Sequence, residues 1–454
     1  MKLFGTDGIR GDSLKYPFDN KTLFYIGKAS GEILGSGKKI LIIRDTRESG
    51  KRIQKALSKG FAAAGCEIVL GGVLPTPSAS FLVKKLKFGA AVVISASHNP
   101  FGDNGIKIFS GSGLKLTDKT ESKIENKINS YLNNLPHATK CLSFGVSKAC
   151  GLSASNLLSI YEDFIIKQFG KHSLKGKKIV LDCANGAAYK CAPEVLRKLG
   201  AHVIALNVKP DGKNINAGCG ALHPQNASKT VKELKAFCGF CFDGDADRLI
   251  CIDENGQIKD GDYFLSSMAV HLKKTGKLKN NILVTTVMAN IGLMLSMKKA
   301  KIKVITSKVG DRYVLEDLKK YKASLGGEQS GHFIFRDILP TGDGLLSAVT
   351  LLSSLAKTGL SMSEFFAGLK KFPQILLNAK VAKKIPFEKL IKTQKLIKAY
   401  EKRFGKSSRI LARYSGTENL LRVMIEGKDK KEIAKAASEI LNTAAREIEE
   451  KSKI

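Results

Sequence analysis

The chain has 454 residues, 43% of them hydrophobic, enough to bury a large core and to divide into about three or four domains rather than one. Lys and Arg number 75 against 41 Asp and Glu, a formal charge of +34; the lysines are spread along most predicted helices, densest from 370 to 409, without base-stacking aromatics between them. That distribution favours a solvated basic surface over attraction of anionic metabolites, and no nucleic-acid partner is expected; no segment has signal-peptide or membrane-spanning character, so a cytoplasmic protein without membrane attachment is expected.

Short apolar runs followed by amphipathic stretches alternate along the chain, the signature of an α/β fold. A strand over 39–43 comes first; the Gly31–Lys39 stretch approaches a Walker pattern but has Glu32 and Lys39 at the wrong positions. A second strand, 91–94, runs into Ser95-Ala96-Ser97-His98-Asn99-Pro100, so these hydroxyls emerge at a strand end, where α/β sheets place their ligands. Taken alone the segment is either a polar turn or the seat of a nucleophilic serine; a hydrolase triad is disfavoured because no Gly-x-Ser-x-Gly elbow is present. Lys107, in Gly105-Ile106-Lys107, can bring an ammonium to the same place.

A boundary is expected near 151, in Cys150-Gly151-Leu152-Ser153. Beyond it a strand over 179–181 gives way, around Asn185-Gly186, to a helix running to about Leu199 and stopped by Gly200. The strand 240–242 leads into Asp243-Gly244-Asp245-Ala246-Asp247-Arg248, whose alternating carboxylates can converge on one hard cation. A calcium EF-hand is the rival, with Glu254 at its twelfth position, but Arg248 stands where the sharp turn needs Gly and strands flank the loop. Three carboxylates with an incomplete shell suit magnesium.

The turn Asp253-Glu254-Asn255-Gly256 after the strand 249–252 marks a second boundary, and Lys370-Lys371-Phe372-Pro373 a third. Between them lie a strand over 282–285 and the loop Gly326-Gly327-Glu328-Gln329-Ser330-Gly331-His332, which suits hydrogen bonding to sugar hydroxyls. The last segment reads strand, helix, strand, loop, strand, helix. Its loop, Arg413-Tyr414-Ser415-Gly416-Thr417-Glu418, offers hydroxyls and backbone amides of Ser415, Gly416 and Thr417 to a phosphate, with Arg413 and Arg422 supplying charge. The expected domains are therefore 1–151, 152–252, 253–369 and 370–454. The nine cysteines are scattered, with only Cys238 and Cys241 close together, and reduced thiols are expected.

Together and in this order, the four loops resemble the α-D-phosphohexomutase family over the whole chain. The resemblance implies three similar α/β domains with mixed sheets flanked by helices, plus a smaller C-terminal α+β domain, around one central cleft. It implies that Ser97 carries a phosphate and that Asp243, Asp245 and Asp247, with phosphorylated Ser97, hold Mg2+. Glu328, Gln329 and Ser330 would grip the sugar, and the loop with Arg413, Ser415, Gly416, Thr417 and Arg422 its phosphate. Arg248 would contact the transferring group, Arg10 would lie beside the reacting hydroxyl, and Lys107 and His332 are the candidates for proton transfer. Phe4-Gly5-Thr6-Asp7-Gly8-Ile9-Arg10-Gly11, Gln329 and the Asn216–Gly220 segment look most like members that interconvert glucosamine 6-phosphate and glucosamine 1-phosphate through a 1,6-bisphosphate, feeding UDP-N-acetylglucosamine and cell-wall precursor synthesis. Members acting on glucose or mannose phosphates are the alternative, and a basic nucleic-acid-binding protein a remote one. Asn419 departs from the Pro many members carry there, which bears on loop stiffness. The partners expected are small sugar phosphates, and both a monomer and a homodimer are compatible with the sequence.

Overall fold

The computed structural model describes residues 3–5, 7–35, 37–133, 152–414 and 419–452. The boundary expected near 151 is flanked by residues outside this set, and Thr6 of the N-terminal motif also lies outside it. Two compact units are present, one of residues 1–288 and 302–367, the other of 289–301 and 368–454.

The first unit holds three sheets built to one plan. In each, the first parallel strand in sequence lies at the centre: Lys39–Arg44 between Glu67–Val73 and Ala90–Ile94, Lys178–Asp182 between His202–Leu206 and Cys238–Phe242, and Ile282–Thr286 between Lys303–Ser307 and Leu325–Gly327. The last parallel strand of each set then turns back on itself, pairing antiparallel with Asp103–Ser110, Leu249–Ile252 and Phe333–Phe335 respectively. Helices cover the faces, which is why Ala90–Ile94 and Cys238–Phe242 are buried at every position and read as continuous apolar runs rather than alternating ones.

This repeated plan positions the chemistry. The Ser95–Asn99 loop, the Asp243–Arg248 loop and the Glu328–His332 loop each occupy the same place, the turn between the last parallel strand and its antiparallel return.

The strands expected from sequence are present, each within two residues of its expected ends. One helix differs: it begins at Cys191, not just after Gly186. The intervening turn packs on the acidic loop, where Ala187 N–H donates to Gly244 O (2.8 Å) and a Cβ on Gly186 would lie 2.3 Å from that same oxygen. Tertiary contact delays the helix there.

The second unit is an antiparallel sheet, Gln374–Lys380, Leu420–Glu426 and Arg409–Tyr414, with the helices Ile391–Phe404 and Lys430–Ser452 packed on it around Leu421, Val423, Ile425, Ile433 and Ile440. This is the strand and helix order read from the sequence. The helix Ile291–Lys299 also belongs to this unit, although it lies within the segment assigned to the third domain. Buried Glu426 explains this, since its carboxylate accepts from Asn290 Nδ2 (3.1 Å) and Ile291 N (3.0 Å) at the start of that helix.

Candidate active site

Ser97 sits at the end of a fully buried strand and is itself 2% exposed. Its backbone is left-handed, φ 53°, a conformation that L residues rarely adopt. That turn aims Oγ at the acidic loop, where it donates to Asp243 Oδ2 across 2.6 Å; Oγ also lies 3.2 Å from His98 Nδ1. Burial, with help from the Arg248 and Arg10 charges, holds the His98 imidazole down at about 4, so the ring beside Ser97 is neutral at physiological pH.

Asp243, Asp245 and Asp247 are buried, with carboxylate oxygens within 4.8 Å of one another. Burial and the charges of Asp247 and Asp245 push Asp243 well above the usual carboxylate range. For Asp247 burial acts the same way, but Lys107 and His332 outweigh it and hold this carboxyl well below that range. Asp245 is fixed by Thr76, whose hydroxyl donates to Oδ2 (2.6 Å) while the Thr76 amide donates to the Asp245 carbonyl (2.9 Å). Asp245 Oδ1 is buried without a hydrogen-bond partner, and Asp247 Oδ1 has only the longer approaches of His332 Nδ1 (3.6 Å) and Arg248 Nε (3.9 Å). Three buried carboxylates gathered this closely, one with an oxygen left unpartnered, fit a hard divalent cation: they are the donor type magnesium takes, and burial without a partner is otherwise costly.

Lys107, opposite Val93 in the first sheet, is 2% exposed, and its ammonium meets Asp245 Oδ2 at 2.9 Å, Asp7 Oδ2 at 3.1 Å and Asp247 Oδ2 at 3.4 Å. Burial works against that charge, but the three carboxylates more than reverse it and keep Lys107 protonated. Arg10, opposite Gly105, reaches Asp7, which also receives Lys115; Lys115 in turn bonds Asp311. Arg248 donates its amide to Asp243 Oδ1 (3.1 Å) and places Nε 3.9 Å from Asp247.

The loop at 328–332 is strapped to the acidic loop: Leu249 N donates to Gly331 O (2.9 Å), and Arg248 and His332 form a backbone bridge. Gly331 is required there, with φ 94° and room for a Cβ only 2.4 Å from Leu249 O. The His332 ring is buried, with Nδ1 3.6 Å from Asp247 and Nε2 3.7 Å from Asp311. Burial opposes its charge, but Asp247 and Asp311 raise it to about 9, so His332 is an imidazolium at neutral pH. Glu328 accepts from Gly310 N (3.0 Å), Gln329 Nε2 donates to Asp260 (3.3 Å), and Ser330 is exposed.

Ser97, Arg10, Lys107, Arg248, His332 and the three aspartates are thus brought into one charged cluster within the first unit. In the second unit Arg413 and Arg422 stand opposite each other on adjacent strands, and burial together with the Arg422 charge lowers the Arg413 guanidinium. Ser415, Gly416 and Thr417 lie outside the described residues. Sequence reasoning missed Asp7, Asp45, Arg47, Thr76 and Lys115, all of which touch the cluster or its loops. The polar run Arg44-Asp45-Thr46-Arg47 closing the first strand was a usable signal, being at the same kind of strand end as Ser97.

Three sheets of one plan thus each deliver a polar loop to a buried acidic cluster beside a serine, an α/β architecture with one composite site. The chain belongs to the phosphoglucomutase/phosphomannomutase family: it matches alpha/beta/alpha domain I over residues 1–134, domain II over 159–256, domain III over 260–372 and the C-terminal domain over 376–443. It is a four-domain phosphohexomutase. It is 44% identical to the phosphoglucosamine mutase of Syntrophotalea carbinolica over 98% of both chains. Among solved structures, the phosphoglucomutase/phosphomannomutase family protein of Burkholderia thailandensis superposes with a TM-score of 0.78 at 24% identity, covering 98% of this chain and 97% of that one. Aspergillus fumigatus N-acetylphosphoglucosamine mutase, solved in complex with GlcNAc-6P and magnesium, superposes at 0.67 and 17% identity, covering 98% and 96%. Among the described residues no helix is long and apolar enough to cross a membrane.

Proposed function

We propose that this mutase interconverts glucosamine 6-phosphate and glucosamine 1-phosphate through phosphorylated Ser97 and glucosamine 1,6-bisphosphate, the latter serving as intermediate or activator. The observation that carries the reading is the 2.6 Å contact between Ser97 Oγ and Asp243, which puts a nucleophilic oxygen against a buried cluster of three carboxylates. The sugar preference is supported by relatives such as that of Syntrophotalea carbinolica, named phosphoglucosamine mutase.

In the forward half-reaction the bond from phosphorus to Ser97 Oγ breaks, a bond from phosphorus to the sugar 1-hydroxyl oxygen forms, and the hydroxyl proton passes to a base. The bisphosphate then turns over in the site and returns its 6-phosphate to Oγ, with a proton delivered to the departing sugar oxygen. Asp243, Asp245, Asp247 and the phosphate on Ser97 would hold magnesium, which offsets charge on the transferring phosphoryl group. Lys107 and His332 are assigned the proton transfers: held protonated by the surrounding carboxylates, each is suited to deliver a proton to the departing sugar oxygen, and one of the two must first give up its proton to act as the base for the hydroxyl. Arg248 and Arg10 are assigned to the phosphoryl oxygens and the reacting hydroxyl. Glu328, Gln329 and Ser330 are assigned to the sugar, and Arg413, Ser415, Gly416, Thr417 and Arg422 to the phosphate that is not transferring. The product would enter UDP-N-acetylglucosamine and cell-wall precursor synthesis, in the cytoplasm, a placement supported by seven described cysteines that are free and buried.

The test is turnover of glucosamine, glucose and mannose phosphates side by side on protein of measured Ser97 phosphorylation. Highest kcat/KM for glucosamine phosphate is expected; a clear preference for glucose or mannose phosphate would reassign the substrate.

A further inference from the structure

We infer that Arg47 and Asn216 are positioning residues for phosphoryl transfer, clamping the serine loop from two domains so that Ser97 Oγ stays aimed at Asp243. The inference rests on the reading of Ser97 as the phosphoryl carrier.

Arg47 is 1% exposed, and each of its guanidinium hydrogens is committed. Nε donates to Asp45 Oδ2 (2.9 Å), Nη1 to Asp103 O (3.0 Å) and Pro100 O, and Nη2 to Ser97 O (3.1 Å) and Asn99 O (2.7 Å). A guanidinium has five donors, and all of them are used on one loop and its carboxylate anchor. It therefore has nothing left for a substrate, and no surface to meet one; its effect can only pass through the loop. Asp45 completes the brace, since its Oδ2 also accepts from Ser95 Oγ (2.6 Å), and Ser95 Oγ accepts from the Ser97 amide (3.0 Å).

Asn216 reaches the same two carbonyls from the second domain: its Nδ2 lies 2.9 Å from Ser97 O and 3.1 Å from Asn99 O. Two side chains thus grip one pair of carbonyls. The acidic loop closes against this junction, because a Cβ on Gly244 would lie 2.6 Å from Ser97 O and 2.8 Å from Asn216 Nδ2. The grip matters because Ser97 holds a left-handed backbone that it would leave if its carbonyl lost these donors. In-line phosphoryl transfer is sensitive to such a shift, with a misplacement of about 1 Å costing about 100-fold in rate.

The experiment compares Asn216→Ala and Arg47→Lys with the parent for kcat, KM, Ser97 phosphate occupancy by intact mass, and thermal unfolding with and without magnesium. Arg47→Lys keeps the charge but not the fork. Expected is a kcat lower by about 10-fold in Asn216→Ala and about 100-fold in Arg47→Lys, with KM within about twofold and the magnesium-dependent thermal shift retained. If Arg47→Lys does not fold, Asn216→Ala decides. A kcat within about threefold of the parent, or a raised KM at unchanged kcat, overturns the clamp. Ser97→Ala run in parallel separates the two ideas: activity in that variant sinks the phosphoserine reading, whereas full activity in the clamp variants with an inactive Ser97→Ala sinks only this inference.

Discussion

Ser97 Oγ donates to Asp243 Oδ2 across 2.6 Å, joining the first and second domains through two residues 146 apart in sequence. The hydroxyl thus satisfies a carboxyl that burial and two neighbouring aspartates already push well above its ordinary range. Replacing Ser97 by Ala should reduce mutase turnover by at least about 1,000-fold while the fold persists, the lost hydrogen bond costing about 1–3 kcal/mol. The assay, run with trace bisphosphate and paired with thermal unfolding, would reject the phosphoserine assignment if near-normal rates remained.

Magnesium should stabilise the native protein, because the fold brings three buried carboxylates within 4.8 Å of one another and the cation would bind them only in that arrangement. Saturation to about 100 times Kd is expected to add about 2.7 kcal/mol, read as a rise in unfolding temperature over an EDTA-treated sample. Asp245→Ala should lose both that rise and activity. An unchanged magnesium titration in the variant would place the metal elsewhere.

Asp343 carries a pH signature of its own, with the Asp247 charge adding a small push to it. It is the N-cap of the helix Gly344–Thr358, is 1% exposed, and accepts from Leu346 N and Tyr161 Oη, each at 2.9 Å. Burial raises its carboxyl from 3.8 to about 7, against the opposing effect of those hydrogen bonds. A folded value above the unfolded one means that its contribution is complete below pH 3.8 and is lost as pH rises through about 7. Asp343→Asn keeps the cap without titrating, so its stability relative to the parent should improve from about pH 4 to about pH 7 and level off above. Denaturant unfolding of both proteins across that range checks it, and a pH-independent difference would contradict it.

Arg413 stands opposite Arg422 in the C-terminal sheet, so two guanidinium groups capable of forked contacts with a phosphate lie side by side. Arg413→Ala should raise KM for the sugar phosphate by about 10-fold or more with kcat reduced less. A fall in kcat at constant KM would move this residue from phosphate binding to the chemical step.

How much was legible in advance differs from loop to loop. The aspartate triplet pointed to a metal site through spacing alone, because alternating carboxylates with small residues between them can converge on one hard cation. Ser97 did not declare itself; as a segment, 95–100 could also be a polar turn, and only its companion loops distinguished it. Gln329 and His332 were visible as polar residues in an apolar setting, but nothing local said that His332 would be held between Asp247 and Asp311 and kept charged. The delayed helix at Cys191 was hidden for the same reason: its start is decided by Gly186 meeting Gly244 across 58 residues.

By itself the sequence determined the α/β character, the strands and the order of the four loops, since these follow from local hydrophobic period and turn chemistry. Only the tertiary structure decided which loops share a cluster and what charge each member bears. Lys107 stays protonated because Asp7, Asp245 and Asp247 converge on it, and Ser97 points at Asp243 because Arg47 and Asn216 hold its carbonyl from two domains. Such effects depend on distance through space and on burial, neither of which is written in the spacing of residues along a chain.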